Sequence, residues 1–505
     1  METEMKIAGL DIGTTGCKLT VFDQTGAYLE HAYRDYPVKR SSSEHEVDVS
    51  MIMENVLAVM KEMGKKYPDI AGIGVTSFGE TFVLTDENGT PLHPAMLYTD
   101  PRGAKECREL EEKLGSMRIA SITGLRPHEM YSISKIMWMK WNRPEVYRQA
   151  KHIFLMEDYV VFYLTGRAQI DYSLATRTMA FDITALEWSE EIFRVADIDM
   201  GLMSKPVPTG TPAGNLRREI GEQTGLTESV QIVSVSHDQV AAAVGAGVFD
   251  SDTAVDGAGT VECVTPVFDG IPDAKVMYDG YYSVVPYVIP GKYVCYAFSY
   301  TGGALIQWCA DTLAKKEKEL ARAQGISVNT YLENQFRTAD TEPDAPTGIL
   351  VLPHFAGAAT PYMDTGSKGA VIGLQMGTTV SDIYRACMEG VAYEMLLNME
   401  RLKGSGIHYK MLHATGGGAR SQVWMQMKAD ILNVPITALK TADAGTVGSA
   451  MLTGIAAGCF EDLEDAAAHM VETRQVYHPR PEMHGKYQEI YKRYRELYRA
   501  VRPLV

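Results

Sequence analysis

"IAGLDIGTTGCKLTVFD", residues 7–23, decides how the chain is read. Two short apolar stretches flank a bend that holds Asp11, Gly13, Thr14, Thr15 and Gly16. An ordinary hairpin needs only a turn residue or two. This one ends its first strand on a carboxylate and adds two hydroxyls and bare backbone. A tight bend of this kind can aim amides and hydroxyls at a small anion. Gly13 and Gly16 then let the backbone approach without a Cβ in the way. Lys18 can add positive charge, and Asp11 can hold a divalent cation directly or through water. The plainer alternative is a hairpin whose aspartate caps its own turn.

The motif has an echo. "AVDGAGTVECVTPVFD", residues 254–269, repeats the apolar residue, the aspartate, the Gly/Thr bend, the strand and the closing Phe-Asp. Asp11, Thr15 and Thr20 align without a gap on Asp256, Thr260 and Thr265. A repeat at this spacing points to two related halves. The chain of 505 residues is long enough for two large domains. The expected boundary follows residue 248, giving domains 1–248 and 249–505 with a cleft between them.

Composition narrows the function class. Hydrophobic content of 46% and charged content of 22% are ordinary for a soluble globular protein. A formal net charge of −16 disfavours nucleic acid or an anionic membrane as partner, since both want a basic face. The seven cysteines are scattered without metal or redox spacing, and read as reduced thiols of a cytoplasmic chain. The start has no signal-peptide pattern, and no apolar run reaches the roughly 18 residues of a membrane span.

Strand and helix patterns alternate, which indicates α/β architecture. Residues 49–66 and 104–114 have helical spacing, and so do residues 133–141. "IAGIGVTSF" (70–78) reads as a strand, and "TFVLTDENGTPL" as a hairpin turning at Asn88 and Gly89. "SKPVPTGTPAGNL" (204–216), rich in Pro and Gly, reads as a surface loop. The tyrosines of residues 487–498 recur at helical spacing and read as a packing face.

Further residues could carry chemistry. Asp238, in "SVSHDQVAAA", stands where a strand gives way to an alanine-rich helix; it is either an N-cap or a general base. Glu80 in "SFGETF", with Asp100 and Arg102 in "YTDPRG", could fix a polyol by paired hydrogen bonds or could form salt bridges only. Gly302 and Gly303 open one helix, and "ATGGGARSQVW" (414–424) precedes another. Glycines at helix starts can host phosphate, although neither cluster has the P-loop or dinucleotide pattern.

These segments, in this order, resemble the FGGY carbohydrate kinases over nearly the whole chain. "GAVIGLQMGTTVSDIYRACMEGVAY" (369–393) is similar to the family's C-terminal signature, with Cys387 as a departure. "YSISKIMWMKW" (131–141) resembles the N-terminal one. The resemblance implies a two-domain actin-like ATPase (ribonuclease H-like) fold with a duplicated βββαβαβα core. It implies an ATP-dependent kinase with Mg2+, acting on a terminal hydroxyl of a small ketose or alditol. Asp238 would match the base and Asp11 the magnesium-associated carboxylate. Thr14, Thr15, Lys18, Gly259 and Thr260 would face the phosphates. Gly302, Gly303, Gln307, Gly417 and Gly418 would face the nucleotide. Glu80, Asp100, Arg102, Asp238 and Gln239 would bind the acceptor. Gly79 stands where glycerol kinases carry an arginine, so a hydroxyl-binding guanidinium is missing there. A homodimer is also implied. The competing readings are a non-catalytic sugar sensor on this scaffold and another actin-like ATPase.

Overall fold

A computed structural model describes residues 5–336, 345–441 and 443–505. Residues 1–4 of the start that was read for a signal peptide lie outside them. The opening bend joins a hairpin: β1 (Lys6–Ile12) pairs antiparallel with β2 (Gly16–Asp23), and β2 with β3 (Tyr28–Asp35). Then α1 (Val49–Lys66) crosses back and delivers Ile70–Ser77 parallel to β1. The Asp48 carboxylate caps α1 by accepting Ser50 N–H, and Lys65 and Lys66 sit in its last turn, where the helix dipole favours cations. Val49, Ile52, Val56, Val59, Met60 and Met63 form its buried stripe.

Gln231–His237 extends the sheet in parallel, and Thr211–Asn215 closes that edge antiparallel. This corrects the loop reading of residues 204–216. Lys205–Val207 and Thr211–Asn215 are both strands. Pro206 and Pro212 cannot donate to a ladder, but a proline is tolerated in an edge strand, which is where Pro212 lies.

The second sheet repeats the order. Lys292–Cys295, Glu262–Asp269 and Thr253–Ala258 pair antiparallel, Met411–Thr415 and Ile436–Leu439 follow in parallel, and Thr473–Tyr477 closes the edge antiparallel. The duplicated α/β core is therefore present. The echo is not gapless, however. Asp11 faces Lys18 across the first hairpin, whereas Asp256 faces Val264, so the second bend is one residue longer. The C-terminal tyrosines pack as expected: Tyr491 and Tyr494 lie 5.9 and 5.3 Å from Tyr393, centroid to centroid. All seven cysteines are free thiols. Among the described residues no helix is long and apolar enough to cross a membrane.

Two helices join the halves. Asp238–Gly245 follows the first sheet's strand Gln231–His237, and Ala444–Ala456 follows the second sheet's strand Ile436–Leu439. They pass each other in backbone contact. A Cβ on Gly245 would lie 1.9 Å from the Ala444 carbonyl oxygen, and one on Gly448 would lie 1.9 Å from that of Ala241. Ala444–Ala456 also lies on the first sheet: a Cβ on Gly9 would be 2.3 Å from Thr446 O, and one on Gly74 would be 2.2 Å from Thr453 Oγ1. Ser449 Oγ donates to Gly74 O at 2.8 Å. Gly245→Ala and Gly448→Ala should each destabilise the protein by about 1–3 kcal/mol or more, because backbone rather than a movable side chain must give way. Chemical denaturation reads this directly; a wild-type midpoint in either variant would show that the helices do not touch there.

Candidate active site

The first hairpin brings Asp11 to the rim of the first sheet beside the bend. Gly13 N–H donates to Gly16 O at 2.8 Å, which closes the turn, and Tyr36 Oη donates to Gly13 O. Gly16 serves packing rather than ligand approach, since a Cβ there would lie 2.3 Å from Tyr33 Oη on β3. Removal from water pushes the Asp11 carboxyl up to about 8, and the charges of Asp238 and Asp443 add to this. Lys18 opposes the shift, yet its ammonium is engaged with Asp443 Oδ2 at 2.7 Å. Asp443 immediately precedes the helix Ala444–Ala456. Nothing in the sequence pattern singled it out.

Three glycine segments of the second half converge. Gly303 N–H donates to Gly259 O at 2.9 Å, and Gly302 and Ala304 N–H both donate to Thr260 O at 3.0 Å. On the other side Gly416, with φ +89°, places its α-carbon so close to Ala258 that a Cβ would be 2.7 Å from the Ala258 carbonyl oxygen. A Cβ on Gly418 would lie 2.6 Å from the Trp424 ring, while Gly417 is open. The expected nucleotide-side segments thus form one surface. Gln307 is exposed on the helix Gly303–Thr312 and hydrogen-bonds Asp311.

The echoed carboxylate behaves differently. Asp256 is buried and accepts from Lys428 Nζ at 2.8 Å, and Lys428 also pairs with buried Glu262. Asp256 belongs to a closed core ion cluster, whereas Asp11 has no such counter-ion.

On the first half, Asp238 opens its helix as the first helical residue. The N-cap position falls to His237, and no side chain makes a capping bond. The capping alternative is therefore not what the structure shows. Asp238 Oδ1 accepts no hydrogen bond among the described residues, and His237 Nε2 lies 3.2 Å from it. Burial first, then the Glu80 charge, push the Asp238 carboxyl up to about 6; Gln239 and Arg177 pull the other way. His237 Nδ1 lies 3.1 Å from Tyr296 Oη, and burial with the Arg177 charge keeps that ring neutral.

Glu80, with φ +60°, turns its carboxylate onto the buried Arg177, whose Nε donates to Oε1 at 2.7 Å. A guanidinium from another segment thereby stands beside position 79. A Cβ on Gly79 would lie 3.1 Å from both Arg177 Cγ and His237 Nε2, so the bare residue makes room for it. The sequence reading missed Arg177, Tyr296 and the placement of His237, because only tertiary folding brings residues 80, 177, 237 and 296 together.

Asp100 and Arg102 answer each other. Asp100 Oδ1 accepts Arg102 N–H and Nε–H at 2.9 and 2.8 Å, Asp100 Oδ2 accepts His45 N–H at 2.7 Å, and Arg102 also reaches Glu46 at 2.7 Å. In this structure the pair forms a salt bridge beside Glu46, one of the two alternatives that the sequence left open. Thr14 hydrogen-bonds Tyr98, which sits within the field of Glu80 and Asp238. The hairpin bend, Glu80 and Asp238 are therefore neighbours around Tyr98.

The family model for the N-terminal domain of the FGGY family of carbohydrate kinases matches residues 6–245, and that for the C-terminal domain matches residues 258–457. A xylulose kinase of Lactococcus lactis is 28% identical, covering 96% of this chain and 95% of its own. A glycerol kinase of Halorhodospira halophila is 30% identical, covering 94% and 92%. A crystal structure of gluconate kinase from Lactobacillus acidophilus, 23% identical, superposes with a TM-score of 0.88 over 99% of this chain and 98% of that one, which bears on the fold alone. With both domain models matched in order along most of its length and their two sheets and cleft in place, the chain belongs to the FGGY family of carbohydrate kinases.

Proposed function

We propose that this kinase transfers the γ-phosphoryl group of ATP to a terminal hydroxyl of a small polyhydroxylated chain, of the ketose or alditol kind with about three to six carbons. The observation that carries this reading is Asp238: a carboxylate at the cleft with an unpartnered oxygen, held near neutral pKa, with a guanidinium–carboxylate pair beside it. The range of substrates rests on the family. A cytoplasmic homodimer without nucleic-acid or membrane partners belongs to the same reading. So does a division of the halves after residue 248.

Each group has a task in that chemistry. The acceptor oxygen attacks the γ-phosphorus, an O–P bond forms, and the bond to the ADP oxygen breaks. Asp238 takes the proton that the hydroxyl loses. Gln239 and the Glu80–Arg177 pair orient the remaining hydroxyls, since a fixed carboxylate and guanidinium select both donors and acceptors. Asp100 and Arg102 belong to the acceptor side in the same reading, as a paired carboxylate and guanidinium. Thr14 and Thr15 face the β- and γ-phosphates, and Lys18 adds charge once Asp443 releases it. Gly259, Thr260, Gly302, Gly303, Gln307, Gly417 and Gly418 form the nucleotide side.

Asp11 suits a hard cation. Its carboxylate is withdrawn from water, stands near two other acids and has no cation of its own, as Lys18 goes to Asp443. Among the described residues no group of three or more His, Cys, Asp or Glu could hold a metal ion by itself. Mg2+ keeps waters and phosphate oxygens and takes only one or two carboxylates from protein, a demand that Asp11 could meet. When bound, Mg2+ would neutralise phosphate charge.

Asp238→Asn should lower acceptor-dependent ADP release by about 10²–10⁴-fold while ATP-analogue binding persists. Normal turnover in this variant would remove Asp238 as the base. The pH profile follows from the raised carboxyl. The base is protonated below about pH 6, so kcat/KM should fall as the pH drops through about 6 and level off above it. An acid limb centred near pH 4 would contradict this. Asp11→Asn should raise the Mg2+ concentration for half-maximal rate by roughly tenfold or more, and weaken the Mg2+ enhancement of ADP binding seen by calorimetry. Unaltered Mg2+ dependence in both assays would take Asp11 out of the metal site.

A further inference from the structure

Beyond Glu80, the acceptor side of the cleft continues into a second small pocket that no step above uses. It is walled by Arg126, His128, Tyr131, Arg177, Tyr281 and Tyr296 among others, and its free volume is about 40 Å³. That is room for roughly three water-sized atoms. Tyr296 and Arg177 also touch the Asp238 end, through His237 Nδ1 and Glu80 respectively, so the two spaces share a wall.

The guanidinium groups that line this pocket are cationic, while the Tyr131 and Ser283 hydroxyls lie 3.3 Å apart and engage each other. The Arg126 guanidinium is stacked 3.8 Å over the Tyr281 ring centroid and 4.4 Å over that of Tyr278, with one weak bond from Nη1 to Tyr278 O at 3.3 Å. Among the described residues no carboxylate pairs with it. Stacking on ring faces fixes the plane of a guanidinium and leaves its edge for bidentate contact. Arg177 is buried, and its Nη1 has no acceptor among the described residues, although its other nitrogens serve Glu80. His128 Nδ1 accepts Met130 N–H at 3.1 Å, which leaves Nε2 to donate. The nearby acids are Glu80, closed by Arg177, and the half-exposed Glu129, 3.7 Å from His128 Nδ1.

We propose that the acceptor carries a carboxylate at the end remote from the transferred phosphoryl group, seated between Arg126 and Arg177, so that the substrate class is a small polyhydroxy acid. The cleft then matches a chain with opposite demands at its ends. A neutral hydroxyl is wanted at the acidic Asp238 side, and a planar anion at the side of the two guanidinium groups. A hydroxyl of a neutral ketose or alditol could accept from Arg177 Nη1, but only a carboxylate brings the charge and the two parallel acceptor oxygens that match the free edge of Arg126.

This inference rests on the kinase reading of Asp238, and the test separates the two. Coupled ADP release would be measured with magnesium ATP across aldonates of four to six carbons, each paired with the alditol and ketose of equal length, for the wild type, Arg126→Gln and Arg126→Lys. The expected result is a kcat/KM at least tenfold higher for one aldonate than for its neutral partners. That ratio should collapse by tenfold or more in Arg126→Gln and be partly kept in Arg126→Lys. A neutral acceptor preferred by the wild type, or a ratio unmoved by Arg126→Gln, overturns the proposal while leaving the kinase intact. If ADP release ignores every acceptor, the kinase reading itself fails. Calorimetry with the same aldonates then decides the pocket: binding that Arg126→Gln weakens upholds the anion site, and no binding overturns it.

Discussion

Where Gly245 meets Ala444 and Gly448 meets Ala241, two helices touch through backbone alone, and the cleft takes its shape from that contact. Asp238 opens one of these helices and Asp443 immediately precedes the other, so the crossing sets where both carboxylates stand relative to Asp11. Helices normally pack 8–10 Å apart, a spacing set by the side chains between them. Here glycines remove those side chains. The second helix also lies in a groove of the first sheet made by Gly9 and Gly74, tied by Ser449 to the Gly74 carbonyl. The end of β1, which carries Asp11, is thereby braced by an element from the other half.

Duplication of the fold did not duplicate the chemistry. Both hairpins carry an aspartate at the same place in their first strand. Asp256 is neutralised by Lys428, with Glu262 as third partner and the Trp424 ring 4.6 Å from the ammonium. A buried charge with a partner is structural material, and removing either partner is costly. Asp11 has Asp238 and Asp443 as neighbours instead, and its one nearby cation is committed elsewhere. The difference between a core strut and a carboxylate without an ion pair lies in one lysine on a neighbouring helix.

Much of this was legible in the chain. The Gly/Thr bend, its echo, α1 and the strand-to-helix switch at Asp238 were all readable, because each is written in consecutive residues. Three kinds of feature were not. The edge strand Thr211–Asn215 hid behind Pro and Gly, since a strand paired on one side needs no uniform β pattern. The role of Gly16 as a seat for Tyr33 and of Gly79 as a passage for Arg177 depends on partners distant in sequence. Asp443, Tyr296 and Arg177 carry no local signal at all; folding alone brings them to the cleft. The pairing of Asp100 with Arg102 was visible as a pattern, but whether it faced a ligand or itself depended on His45 and Glu46.

The groove that Gly9 and Gly74 leave in the first sheet has a consequence for how the protein is made. Its filler arrives late: Ser449 and Gly74 are separated by 375 residues. At about 5–20 residues per second of synthesis, the sheet waits roughly 20–75 s for that helix to be made. Until then the nascent first half shows an apolar furrow to its surroundings. The amino-terminal half therefore reaches its final shape only once residues 444–456 have been synthesised.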